Sequence, residues 1–150
     1  MLNLLEFWGS KMTTEITANT TSQELFDYIT TFLLKQGQPS MNKAGDCRYR
    51  GPNGKMCAVG CILPDSLYTK DMEGKGIYDI RPTTTSGRIV DEDGAAYFKA
   101  LTPHFSLLSD LQFVHDQSAN RNRSFTVREY WVKNFTEIAN RHGLLFRAPL

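Results

Sequence analysis

Three cysteines (Cys47, Cys57, Cys61) and three histidines (His104, His115, His142) are the side chains of this 150-residue chain best equipped to hold a metal or to pair a nucleophile with a base. Thiolates bind zinc tetrahedrally, but zinc modules offer closely paired cysteines. Here Cys47-x9-Cys57-x3-Cys61 leaves one cysteine without a close partner and needs a distant histidine as fourth ligand. Cysteine is also among the most readily buried small residues. The three are therefore read as packing residues, with no metal and no cofactor expected. Thiol catalysis would require Cys57 or Cys61 to converge on His115. Adjacent helical residues point about 100° apart, so Asp116 is not expected to orient His115. His115 itself reads as a surface or half-buried helical residue.

Anion chemistry is the second possibility. Arg48 and Arg50 alternate about Tyr49, so a strand would put both guanidiniums on one face, where they could clamp a phosphate or carboxylate with Lys55 nearby. Gly51-Pro52-Asn53-Gly54-Lys55 lacks the remaining pattern of a phosphate loop and reads as a turn. A third possibility is a nucleic-acid surface. Residues 121–147 hold six basic side chains against two acids, and Arg121, Arg123, Arg128 and Lys133 would read a phosphate backbone. Trp131 falls on an apolar stripe and belongs in the core.

Those residues must be positioned by recognisable elements. Leu25, Phe26, Ile29, Phe32 and Leu33 have the spacing of one helical face, with Thr21-x-x-Glu24 in capping-box form and Gly37 at the end. Leu107, Leu108, Leu111 and Val114 predict a helix over 103–117. Trp131, Phe135, Ile138 and Ala139 predict another, opened by Thr126-x-x-Glu129 and closed by Gly143. Between the first two, Cys47–Arg50 and Lys55–Val59 flank the Gly-Pro-Asn-Gly turn and predict a β-hairpin. Residues 69–94, rich in glycine and threonine, read as a long loop, with Ile77–Ile80 as a short strand or one helical turn, Arg88–Val90 as another short strand and Asp91–Gly94 as a solvated acidic turn. The expected class is α+β, about three helices packed with a small hairpin or sheet.

Seventeen basic against 16 acidic side chains give a net charge of +1, so no global field marks a nucleic-acid or membrane-surface protein. The 41% apolar and 22% charged composition excludes disorder and coiled coil. No run approaches the ~18 apolar residues of a membrane span, and the odd, sparse cysteines do not form a secreted disulfide framework. A cytoplasmic protein is expected. Residues 1–11 read as a dispensable extension, although Leu4, Leu5, Phe7 and Trp8 could dock on a partner, and 12–150 as a single domain.

The block Cys47-Arg48-Tyr49-Arg50-Gly51-Pro52-Asn53-Gly54-Lys55-Met56-Cys57-Ala58-Val59-Gly60-Cys61-Ile62-Leu63-Pro64-Asp65-Ser66-Leu67-Tyr68 resembles one found in small uncharacterised proteins of bacteriophages and bacteria. The resemblance extends loosely to Glu24–Asp27 and to Leu107–Asp116, about half of the chain, and departs at Thr83–Gly94. It implies a phage or prokaryotic cytoplasmic setting, the host cytoplasm if phage-encoded, and transfers no catalytic residue. The expected function is binding or regulation, with a host protein or a small anionic ligand such as a nucleotide as partner. A Cys/His-dependent enzyme and a nucleic-acid-binding module are the alternatives.

Overall fold

The computed structural model describes residues 15–80, 92–120 and 124–148. Among the described residues four α-helices follow one another: α1 (Ser22–Gln36), α2 (Glu92–Leu101), α3 (Phe105–Gln117) and α4 (Val127–His142), with short 3-10 turns between them. The three helices expected from periodicity form, α1 and α4 where their caps place them and α3 without a side-chain cap, from Phe105. Thr21 Oγ1 accepts the Glu24 amide at 3.1 Å while Glu24 Oε1 accepts the Thr21 amide at 3.1 Å, a complete capping box. Gly37 ends α1 at φ 76°, a left-handed conformation that costs glycine nothing, and its amide bonds Leu33 O at 2.9 Å. Thr126 Oγ1 caps α4 through the Glu129 amide at 3.1 Å.

Helix α2 was not expected, and its first three residues, 92–94, fall within the predicted long loop. Glu92 and Gly94 of the predicted acidic turn open this helix instead. Alanine at 95, 96 and 100 favours the helical backbone, and Tyr97, Phe98 and Leu101 turn one side inward to burial. The Tyr97 hydroxyl donates to Ile62 O at 2.8 Å, tying α2 to the Cys block. Residues 77–80 form a turn with Ile77 and Ile80 buried. The Arg88–Val90 expectation lies outside the described residues.

The core is the meeting of the helical stripes. Trp131, Phe135, Phe26, Leu25, Ile29, Leu33, Leu108 and Leu111 are all fully enclosed. An aromatic row crosses it. His115 stacks on Trp131 and Trp131 on Phe135, with centroids 6.4 and 6.2 Å apart. Phe146, on the segment after α4, then meets Phe135 and Phe26 edge-on at 6.0 and 5.6 Å. Such pairs add about 0.5–1.5 kcal/mol each beyond area burial.

The expected α+β class is overturned. Among the described residues there is no strand, only an isolated antiparallel bridge between Met41 and Cys47. The predicted turn exists, as a 3-10 turn at Pro52–Gly54 with Asn53 at φ 59°, and the Gly51 amide bonds Lys55 O at 2.8 Å. Its flanks do not pair because side chains occupy the groups a ladder would use. Gln36 takes both the amide and the carbonyl of Met56, at 2.9 and 3.0 Å. Glu73 takes the Tyr49 amide at 2.6 Å, Ser40 Oγ bonds Arg48 O at 2.8 Å, and Gln112 takes the Val59 amide at 3.0 Å. Buried backbone groups must find partners, and here distant side chains supply them. Gly60 lies so close to the chain at Tyr49 that a Cβ would strike the Tyr49 carbonyl, which fixes glycine at that position.

Candidate functional site

The chemically able residues gather where the Cys block meets the C-terminal half of α3. Apolar residues of α3 drive His115 into the core, where it is fully buried, not at the surface or half-buried as expected. Its Nε2 accepts the Ser40 amide at 2.9 Å. That bond places the ring proton on Nδ1, which donates to Asp116 Oδ1 at 2.9 Å. The expectation that Asp116 could not orient His115 is therefore corrected. Nδ1 lies close to the helix backbone, and the short Asp116 side chain folds back to reach it despite the angular offset.

Asp116 gathers further partners. Gln112 Nε2, one helical turn earlier, donates to Oδ1 at 2.7 Å, while the other end of that amide holds Val59. The Cys47 thiol also faces the carboxylate, its Sγ within 4.8 Å of it. Burial first, and then the adjoining, negatively charged Asp116 carboxylate, push the Cys47 thiol well above its ordinary range. The thiol that meets His115 and Asp116 is thus Cys47, whereas the sequence pointed to Cys57 and Cys61. Those two are core residues. Cys57 Sγ accepts the Gly60 amide at 3.3 Å, and the Cys61 thiol donates to Ala58 O at 3.1 Å. Burial pushes Cys57 up to about 12 and raises Cys61 as well.

Cys47, His115 and Asp116 bring their ligating atoms within 4.8 Å of one another, the composition of a metal centre. The imidazole does not fit one. A metal on Nδ1 would require the proton on Nε2, directly against the Ser40 amide, whereas ligating histidines turn their second nitrogen as a donor toward an acceptor. Cys47 and Asp116 alone fall short of the three or four protein ligands of a zinc site. Nor is there a nucleophile and base pair, because a neutral thiol faces a carboxylate and the imidazole lone pair is already bonded. The arrangement instead holds one carboxylate rigid at the surface, with the Asp116 side chain 35% exposed. Phe113, one turn earlier on the same side of α3, is 63% exposed.

The predicted anion clamp is placed differently from a strand face. Tyr49 points inward, but the Arg50 guanidinium folds back over the chain. It donates to Tyr49 O, Gly60 O, Leu63 O and Asp65 Oδ1 at 3.3, 2.7, 2.6 and 3.0 Å, and lies 4.9 Å over the Tyr68 ring. Arg48 faces Glu73 at 3.7 Å. Lys55 is half-exposed, and its carbonyl accepts from Ser40 and Gly51. Of the predicted nucleic-acid residues, Arg121 and Arg123 lie outside the described residues. Arg128 and Lys133 are exposed on α4 in company with the exposed Glu129 and Glu137, while Trp131 is enclosed.

No functional role was expected of Ser40, Gln112 or Phe113. The spacing Gln112-x2-His115-Asp116, which puts three polar residues on adjoining turns of an apolar helix, was the available signal. Comparison with protein-family models, curated proteins and solved structures finds no match. Among the described residues, no helix is long and apolar enough to cross a membrane.

Proposed function

We propose that this chain is a small binding or regulatory protein that engages a partner protein through the outer face of α3. Its resemblance to phage and bacterial proteins makes a prokaryotic host protein the partner of choice. The observation that carries the reading is Phe113. Single exposed apolar side chains are ordinary, but this ring stands 63% exposed in the solvent-facing stripe of α3, one turn from Asp110 on one side and Asp116 on the other. Aromatic anchors beside polar groups are what protein interfaces use as energetic centres. Of the two partner classes expected, the small anion is less supported, because Arg50 spends its donors on backbone carbonyls and Asp65.

Capture from prokaryotic lysate on immobilised protein tests this reading. A protein retained by the wild type and lost by Phe113→Ser, with an unchanged melting temperature, supports it. Equal capture by both proteins refutes the assigned face. Melting in the presence of a nucleotide panel tests the anion alternative, since a ligand that binds only the folded state must raise the transition.

A further inference from the structure

We infer that Asp116 and Phe113 together receive one guanidinium group, supplied by an arginine-bearing segment of the partner. This inference rests on the reading of the outer face of α3 as the binding surface, and it specifies what docks there.

The carboxylate is built to receive a cation. A carboxylate offers about four lone-pair positions; His115 Nδ1–H and the Gln112 amide both donate to Asp116 Oδ1, and the Cys47 thiol faces the carboxylate within 4.8 Å. Accepting capacity is left over on a side chain that keeps contact with solvent. Its three partners are themselves held from behind. Ser40 fixes the imidazole, the Val59 amide fixes Gln112, and the bridge to Met41 fixes the backbone at Cys47. Little rotamer freedom remains to be lost when a ligand arrives. None of the three carries a full charge, so the carboxylate's negative charge is not cancelled within the knot.

Phe113 selects the kind of cation. Residues three apart on a helix bring their Cβ atoms within about 5–6 Å, so a group bonded to Asp116 can reach over the exposed ring. A guanidinium is planar, weakly hydrated and stacks on aromatic faces, whereas an ammonium is compact and strongly hydrated. Asp110, the other acidic neighbour of Phe113, already pairs with an arginine. Its Oδ2 accepts from Arg141 at 3.0 Å and from His142 at 2.7 Å. Asp116 has no equivalent cation among the described residues.

The test uses the full chain and three short glycine-spaced peptides, one of arginines, one of lysines and one of glutamates, titrated at low salt and followed by amide chemical shifts. The expected result is binding in the order arginine, lysine, glutamate, with shifts centred on residues 112–117 and weakening as salt rises. Phe113→Ala and Asp116→Asn should each weaken the arginine peptide by roughly three- to five-fold. Asp116→Glu keeps the charge and should retain more binding than Asp116→Asn, which separates loss of charge from loosening of the knot. Absence of an arginine preference over glutamate, or equal binding by Asp116→Asn, overturns the inference. So does stoichiometric uptake of zinc chloride with thiolate charge-transfer absorbance that vanishes in Cys47→Ser. If Phe113→Ser abolishes capture of the lysate protein while Asp116→Asn captures it normally, the protein-binding reading stands and the guanidinium inference fails.

Discussion

Helices α1, α3 and α4 and the segment 38–64 solve the same problem in opposite ways. In the helices, backbone groups satisfy one another four residues apart, and side chains are left to make the apolar core. In the Cys block backbone bonds are confined to short turns and one isolated bridge, and side chains of Gln36, Ser40, Arg50, Glu73 and Gln112 bond further amides and carbonyls one by one. Residues with the look of catalytic or anion-binding machinery are here largely spent on holding a loop. At the site beside α3, the Asp116 carboxylate and the Phe113 ring face outward.

Substitutions that strike each region separately sharpen this contrast. Phe135→Ala should have the largest effect, about 3–5 kcal/mol in urea unfolding, because it empties the centre of the aromatic row. Every probe of unfolding should shift together. A loss confined to residues 38–64 would show that the helical core does not carry the fold.

Alkaline pH should come next. The folded-state thiols of Cys57 and Cys61 lie above the ordinary value of 9.0, Cys57 at about 12. Their contribution is therefore fully present below pH 9 and is lost as pH rises toward 12, by about 1.4 kcal/mol per pH unit for each thiol fully engaged. Melting temperatures between pH 8 and 11 should fall, and a Cys57→Ala/Cys61→Ala variant should show a shallower slope. An unchanged slope would contradict the burial argument.

Arg50→Met is expected to cost about 2 kcal/mol, since Gly60 O and Leu63 O lose their donors. Hydrogen exchange should speed up in residues 48–64 ahead of the helices. Gln36→Leu removes the two bonds to Met56 and should cost about 1–2 kcal/mol, again read first in the block. The smallest effect belongs to Arg48→Ala. Its 3.7 Å pair with Glu73 is partly solvated, and the urea midpoint should move by less than about 0.5 kcal/mol equivalent. A larger loss would mean that the block depends on its surface charges after all.

The ends of α1 and α4 were legible because Thr21, Glu24, Gly37, Thr126 and Gly143 act within one turn of their own positions. Trp131 and Phe135 were legible as core from periodicity alone. Cys47 as the thiol beside His115 was not, because nothing near it in sequence indicates its partner. The hairpin failed for a related reason. A turn and two apolar flanks describe a local preference, and Gln36, Glu73 and Gln112 outcompeted the ladder from outside.

Helix positions, caps and the buried stripe were thus determined by the sequence itself, since each depends on residues three or four apart. The fate of the Cys block, the proton position on His115 and the exposure of the Phe113–Asp116 pair were decided by tertiary structure. Their deciding bonds join Ser40 to His115 and Val59 to Gln112, across 75 and 53 residues of chain. Only packing of the helices brings such groups within hydrogen-bonding reach.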